Sequence, residues 1–397
     1  MSRLIELLRL AIPLSDEKKG LISLLGQYLE DADIKEIVQL IKKKKADISL
    51  KDLGVSPQIL KESAYPALEA KAKAEEQRIT GYLDKLNKLI EERFREASYR
   101  RFSEKAASTL PHFIGMGIVG MDQIKRASAL LLFAGPSEPI HMLLLGDPGT
   151  GKTEILRSAS ALHPISSFGL GSGTSSVGLS VTVKGSEVSK GLLPMADKGI
   201  CAIDELNLMQ ERDRASLYNA MEKGFITYDK GGKHYKFDSR IRIIAAANPT
   251  GDRFSGWTVE TLKKQLPFEP ALLSRFHLVF LVRKPDPKQF AEITRRIVSQ
   301  DRSKRSSADE NFIKDYVSYA EGKQVRLTPR LENEIVDFVS EIKEKEREYL
   351  IEISPRLVKG FVRLAKASAR LNLRDVVEKQ DVKAVKEIVL SGLNLRN

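Results

Sequence analysis

The spacing of apolar and polar positions changes texture twice along this chain. From residue 1 to about 60 the apolar residues recur at helical intervals. Leu4, Ile5, Leu7, Leu8 and Leu10 predict a short amphipathic helix ending near Pro13, and further helical segments run from Leu21 to Leu29 and from Ile34 to Ile41. Gly54 and Pro57 punctuate the end of this region. Residues 66 to about 105 are dense in Lys, Glu, Arg and Ala, with Ile79, Leu83, Leu86, Leu89, Ile90 and Phe94 as the apolar stripe. They predict one long connecting helix. From about residue 111 short apolar runs alternate with helical patterns. The runs Ile140 to Leu145, Gly199 to Ile203, Arg242 to Ala247 and Leu278 to Val282 predict buried strands. Strands separated by helices predict a parallel sheet covered on both faces. From about residue 309 the pattern is helical to the end. The expected divisions are a helical domain over 1–62, a helical linker over 63–110, an α/β core over 111–300 and a helical domain over 301–397.

The 397 residues are enough for two or three domains with their own cores. A formal net charge of +12 is compatible with nucleic acid without identifying it. Cys201 is the only cysteine, which excludes a disulfide framework and a cysteine zinc site. No apolar run is long enough to span a membrane, and Glu6 and Arg9 interrupt the apolar start, so the chain is expected in the cytoplasm. The run Lys42 to Lys45 fits either a solvated helix end or a phosphate contact.

One stretch gives the picture its chemistry. Gly146-Asp147-Pro148-Gly149-Thr150-Gly151-Lys152-Thr153 fills every specified position of the phosphate-binding loop. It follows a predicted strand and precedes a predicted helix, Glu154 to Leu162. Glycines let the backbone wrap an oxygen-rich group, and the helix start adds unpaired N–H groups. Lys152 is placed to reach the β- and γ-phosphates of ATP, and the Thr153 hydroxyl to ligate Mg²⁺.

The second strand ends in Asp204-Glu205. Downstream of a phosphate loop, such a pair suits a Mg²⁺ site at Asp204 and water activation by Glu205; a helix cap is the plainer use. The third strand ends in Asn248-Pro249, where the amide could orient the same water or mark a turn. Ser274-Arg275-Phe276 precedes the fourth strand, and Pro355-Arg356 opens a later helix. Taken singly, each Arg reads as a surface charge; in this order along the chain they fit phosphate-sensing arginines.

That order resembles an AAA+ ATPase, and the wording resembles the MCM replicative helicases. The stretches carrying the likeness are Gly120 to Ala127, Ile140 to Thr150, Ala245 to Pro249 and Leu272 to Phe276. Gly173 to Ser180 resembles the family's insertion hairpin, and Asn219 to Glu222 with Phe225 to Phe237 resembles the hairpin before the sensor strand. Ile353 to Arg356 and Val362 to Ala365 resemble the lid. The resemblance covers roughly residues 110 to 397. It implies an α/β AAA+ P-loop NTPase core with a helical lid, behind a small all-α N-terminal domain. It also implies a ring of subunits, either of one chain or mixed with a full-length MCM. Lys152, Thr153, Asp204, Glu205 and Asn248 would form one side of each ATP site, with Arg275 and Arg356 supplied by the neighbour. The hairpins would line a pore, with Lys184, Lys230 and Lys233 touching DNA phosphates without reading sequence. For Lys230 a solvated turn is an equal reading.

Several positions depart from the family's wording. About 100 residues precede the core, and they predict neither a zinc module nor an oligonucleotide-binding barrel; no winged helix is expected after the lid. Gly151 and Thr153 stand where the family commonly has Ala and Ser. Leu206-Asn207-Leu208-Met209 follows the acidic pair, His277 follows Ser-Arg-Phe, and Gly231 stands in the second hairpin where Ala is usual. Three functions fit: a DNA-translocating ATPase, an ATP- and DNA-binding regulator that does not unwind, and a protein-remodelling ATPase related to magnesium chelatase. The Ser-Arg-Phe and Ala-Ala-Ala-Asn-Pro wordings favour the first two.

Overall fold

The computed structural model describes residue 88 and residues 91–395, apart from 174–175, 185–186, 231–232, 252 and 299–305. The expected N-terminal helical domain and the Lys42 to Lys45 run lie outside the described residues, as does most of the connecting helix. Two units divide the chain, Met1–Phe102 and Ser103–Asn397. In the first, residues 91–102 are helical. Everything below concerns the second.

Its centre is a parallel five-stranded sheet. The strands are β1 (His141–Gly146), β2 (Ser166–Leu170), β5 (Ile200–Asp204), β8 (Arg242–Ala247) and β9 (Leu278–Val282), in the spatial order β2-β5-β8-β1-β9. Four were legible as apolar runs, because a strand covered on both faces needs no polar alternation. Each of those four is buried along its whole length. The fifth, β2, was missed: it is Ser-Ser-Phe-Gly-Leu, sits at the sheet edge and exposes both ends.

Two antiparallel hairpins leave this core. Strands β3 (Val181–Lys184) and β4 (Glu187–Lys190) form the first. It lies just beyond the Gly173 to Ser180 stretch expected to contain it; that stretch instead holds one short helical turn, Ser176–Leu179, and another, Gly171–Gly173, ends where it begins. Strands β6 (Phe225–Lys230) and β7 (Lys233–Asp238) form the second, in register from Phe225↔Asp238 to Lys230↔Lys233, where it was expected.

Helices α1 (Asp122–Leu132), α2 (Lys152–Ala161) and α3 (Arg214–Lys223) belong to the core. α2 packs on β5 and β8, and Ile155, Leu156 and Ala159 are its buried apolar residues. The lid contains α4 (Ser307–Glu321), α5 (Pro329–Glu344), α6 (Pro355–Leu371) and α7 (Lys379–Leu393). Their starts are written in the sequence: Ser306 caps α4 by accepting from Asp309 N at 3.1 Å, and Pro opens α5 and α6. Glu378 and Asp381 form a capping box on α7.

The lid docks along α1 and β9 and beside the amino ends of the central strands. α6 carries a ladder of cations that close open polar groups there. Arg356 donates to Ser274 O at 2.7 Å, Arg363 to Pro139 O at 2.5 Å and Arg370 to Phe133 O at 2.7 Å, while Lys366 pairs with Glu138. Arg242, at the amino end of β8, is 1% exposed. It pairs with Glu321 at the end of α4, donates to Ala134 O at 2.6 Å and meets His163 Nε2 at 2.6 Å. The core and lid thus share buried ions, and neither can be removed without stranding a charge in the other.

Candidate nucleotide site

Parallel strands bring residues that follow their carboxyl ends to one edge of the sheet. β5, β8 and β1 are neighbours, so the turns after Asp204, Ala247 and Gly146 converge. The sequence-predicted residues Lys152, Thr153, Asp204, Glu205 and Asn248 all lie there.

The loop itself needs all three of its glycines: Gly151 has φ +87°, and an added Cβ there would lie 2.5 Å from Ile118 Cδ1. Gly149 has φ +74°, a conformation that L side chains rarely adopt. At Gly146 an added Cβ would sit 2.0 Å from Val282 O, because β9 passes against the backbone. α2 begins at Lys152, two residues earlier than the apolar pattern predicted, so the loop runs directly into a helix start with its unpaired N–H groups. Lys152 Nζ donates to Gly146 O at 2.8 Å and Asp147 O at 2.7 Å, which holds the ammonium inside the loop. Burial lowers its pKa to about 8, against the opposing pull of Asp204 and Asp147.

Thr153 Oγ1 donates to Asp204 Oδ2 at 2.6 Å, and the Glu205 N–H donates to Asp204 Oδ1 at 2.9 Å. Glu205 has φ +50°, uncommon for a residue with a side chain. Its carboxylate accepts from Ser172 Oγ at 2.8 Å. A hydroxyl and a carboxylate in contact beside a lysine and a helix start form a hard-oxygen donor set of the kind that suits a hydrated divalent cation on a polyphosphate.

Two supporting residues were not given roles by the sequence. Asn207 Oδ1 accepts the Asn248 N–H at 3.0 Å, tying the acidic turn to the end of β8. The visible signal was an Asn where the surrounding residues are apolar. Asp147, read only as a loop position, accepts the Phe254 N–H at 2.8 Å and the Lys284 N–H at 3.0 Å. It pins the phosphate loop to the segments after β8 and β9. Those segments meet again where Arg283 stacks 3.8 Å over the ring of Trp257, which is 57% exposed.

Arg275 and Arg356 stand elsewhere. β9 runs parallel to β1 with Leu278 opposite Met142 and Val282 opposite Gly146. Arg275 precedes β9, whereas the phosphate loop follows β1, so about 13 Å of strand lies between their levels at about 3.3 Å per residue. Arg356 is bonded to Ser274 and shares that far edge. Lys184 and Lys230–Lys233 occupy the closing registers of the two hairpins, opposite Glu187 and opposite each other.

Comparison with known proteins gives this arrangement relatives. The MCM P-loop domain family model matches residues 94–301, and the MCM AAA-lid domain model matches residues 311–393. DNA replication licensing factor mcm7-B of Xenopus laevis is 31% identical over 318 residues, covering 74% of this chain and 43% of that protein. The minichromosome maintenance protein MCM of Saccharolobus solfataricus is 32% identical over 290 residues, covering 68% of this chain and 42% of its own length. DNA replication licensing factor Mcm2 of Drosophila melanogaster is 30% identical over 311 residues, with 69% and 35% covered. The chain spans less than half the length of these relatives. Among the described residues no helix is long and apolar enough to cross a membrane.

Proposed function

This chain belongs to the MCM family, and on that premise we propose that it is an ATPase that binds DNA and couples ATP hydrolysis between subunits to movement along it. Its AAA+ P-loop core and the names of its relatives support an ATPase of DNA replication at the family level. The observation that supports the ATPase part of this reading is the contact of Thr153 Oγ1 with Asp204 Oδ2 at 2.6 Å, beside Lys152.

In this reading the loop N–H groups and Lys152 hold the phosphates, and Thr153 and Asp204 hold Mg²⁺. When bound, the cation offsets negative charge on the phosphate oxygens. Glu205 accepts a hydrogen bond from the attacking water and orients it in line with the γ-phosphate. Asn248, fixed through Asn207, offers its amide to the same water. Arg275 and Arg356 lie at the wrong edge for their own loop and serve the loop of an adjacent subunit, which makes the working unit an assembly. Lys184, Lys230 and Lys233 meet the DNA backbone; contacts to phosphates carry no sequence information, as a translocating protein requires.

The test is ATP hydrolysis with and without single-stranded DNA at two salt concentrations, on protein of known oligomeric state. Stimulation that fades with salt is expected. Turnover indifferent to DNA would remove the DNA-coupled part of the proposal, and no turnover in any assembly would remove the ATPase.

A further inference from the structure

Arg275 is held by its own chain at three points. Nη1 donates to Ala271 O at 2.5 Å, Nη2 meets Glu222 Oε2 at 3.3 Å, and the guanidinium carbon lies 4.5 Å from the centre of the Tyr218 ring. Its Nε is buried with no hydrogen-bond partner. Tyr218 and Glu222 are four residues apart, so they share one face of α3. α3 ends at Lys223, Gly224 turns with φ +72°, and β6 starts at Phe225. The helix that holds Arg275 therefore runs into the second hairpin with one residue between them.

A guanidinium offered to a phosphate on another subunit has to turn its N–H groups outward. Here both terminal nitrogens bond in cis, and the third nitrogen is buried without an acceptor. A buried donor left unmet disfavours the arrangement that buries it. Of the three contacts, the two that come from α3 are of the kind that is readily given up: Glu222 is half exposed, and a single cation–aromatic contact is weak. The geometry is that of a holding position.

We infer that Glu222 and Tyr218 are positioning residues that retain Arg275 until a neighbour's phosphate draws it out, and that this release is coupled through α3 to the β6–β7 hairpin. The inference rests on the proposed role of Arg275 toward an adjacent subunit. The hairpin is paired from Phe225↔Asp238 to Lys230↔Lys233 and starts one residue after α3, so a displacement of its base reaches the end of that helix. Coupling is reciprocal: DNA that shifts the hairpin also loosens the hold on Arg275. DNA stimulation of turnover thus passes through Glu222.

The experiment measures kcat and KM for ATP, with and without a single-stranded oligonucleotide, for the full chain and for Glu222→Gln, Glu222→Asp, Arg275→Ala and the Glu222→Gln/Arg275→Ala pair. Glu222→Gln is expected to raise kcat without DNA by about three- to fivefold, the effect of losing an exposed ion pair, with KM unchanged and DNA stimulation reduced. Glu222→Asp is expected to behave as wild type, and the double variant to be as slow as Arg275→Ala. Tyr218→Leu repeats the Glu222→Gln result, and Tyr218→Phe, which keeps the ring, does not. If Arg275→Ala is slow while Glu222→Gln keeps wild-type kcat and stimulation, or loses activity, the holding role is overturned and the ATPase proposal stands. If Arg275→Ala turns over like wild type, the role of Arg275 toward a neighbour falls and the holding role with it, while the ATPase stands; if wild type does not turn over, both are overturned.

Discussion

Thr153 and Asp204 meet across the carboxyl edge of the sheet, 51 residues apart in sequence and 2.6 Å apart in space. The bond joins the start of α2 to the end of β5 and places a hydroxyl and a carboxylate where a phosphate-bound cation would be held. Asp204→Asn keeps the size and the hydrogen-bond reach but removes the charge. Turnover is expected to fall by roughly 100-fold or more, the scale of losing one electrostatic group at a reacting centre. Nucleotide binding measured without Mg²⁺ should be nearly unchanged. Steady-state kinetics and nucleotide titration decide it, and an active Asp204→Asn protein would refute the cation site.

Lys152 has its pKa lowered by burial to about 8. Around that pH a sizeable fraction is neutral, whereas a bound triphosphate favours the charged form. Nucleotide binding is expected to take up protons near and above pH 8, and affinity to weaken as pH rises through this window. Calorimetric titration in buffers of different ionisation enthalpy reads the proton uptake directly. Lys152→Ala should bind weakly and show none.

The two histidines at the amino edge predict an acid limit. His141 N–H donates to His277 Nδ1 at 3.0 Å, and burial lowers both pKa values, to about 3 and about 2. The folded state keeps them neutral while the unfolded chain protonates them below about 6.5. Stability is therefore full above that pH and lost as pH falls, by roughly 1.4 kcal/mol per unit for each histidine. Thermal melts between pH 7 and pH 5 check this. His277→Asn, whose side-chain oxygen can accept from His141 N–H, should show a shallower decline.

The pairing of Arg242 with Glu321 joins β8 to the lid in a nearly closed environment. Glu321→Ala leaves a buried guanidinium without its carboxylate and is expected to cost about 3–5 kcal/mol. Urea unfolding should show the lower midpoint. A loss under 1 kcal/mol would mean that the carbonyls of Ala134 and Lys198 and the His163 ring, its other partners, suffice.

Trp257 is the only tryptophan, and its stack with Arg283 bridges the two segments that Asp147 ties to the phosphate loop. Nucleotide that orders the loop is expected to change the intrinsic emission. The change should vanish in Lys152→Ala and shrink in Asp147→Asn, in which the two N–H contacts are weakened. Fluorescence titration tests it, and an unchanged signal on confirmed binding would separate Trp257 from the site.

The phosphate loop, the acidic pair and four of five central strands were legible because their chemistry is local. A loop that must wrap phosphates needs glycines at fixed spacing, and a strand buried on both faces needs an unbroken apolar run. β2 escaped since an edge strand tolerates serines and exposed ends. The first hairpin was placed a few residues early because Gly173 to Ser180 has turn composition, whereas four-residue strands leave little pattern. The partners of Asp147, Asn207 and Arg275 depend on segments brought together only by the sheet, so no spacing rule reveals them. The N-terminal expectations lie outside the described residues.

The separation of Arg275 from its own phosphate loop changes what is counted as an enzyme. On the proposed reading each copy carries half of two different sites and a whole one of neither. An open row of copies then always has one fewer working junction than it has members, and only closure makes the numbers equal. Specific activity should consequently climb with concentration as copies associate, and level off when the circle shuts. A diluted preparation would lose turnover while every molecule in it stays folded.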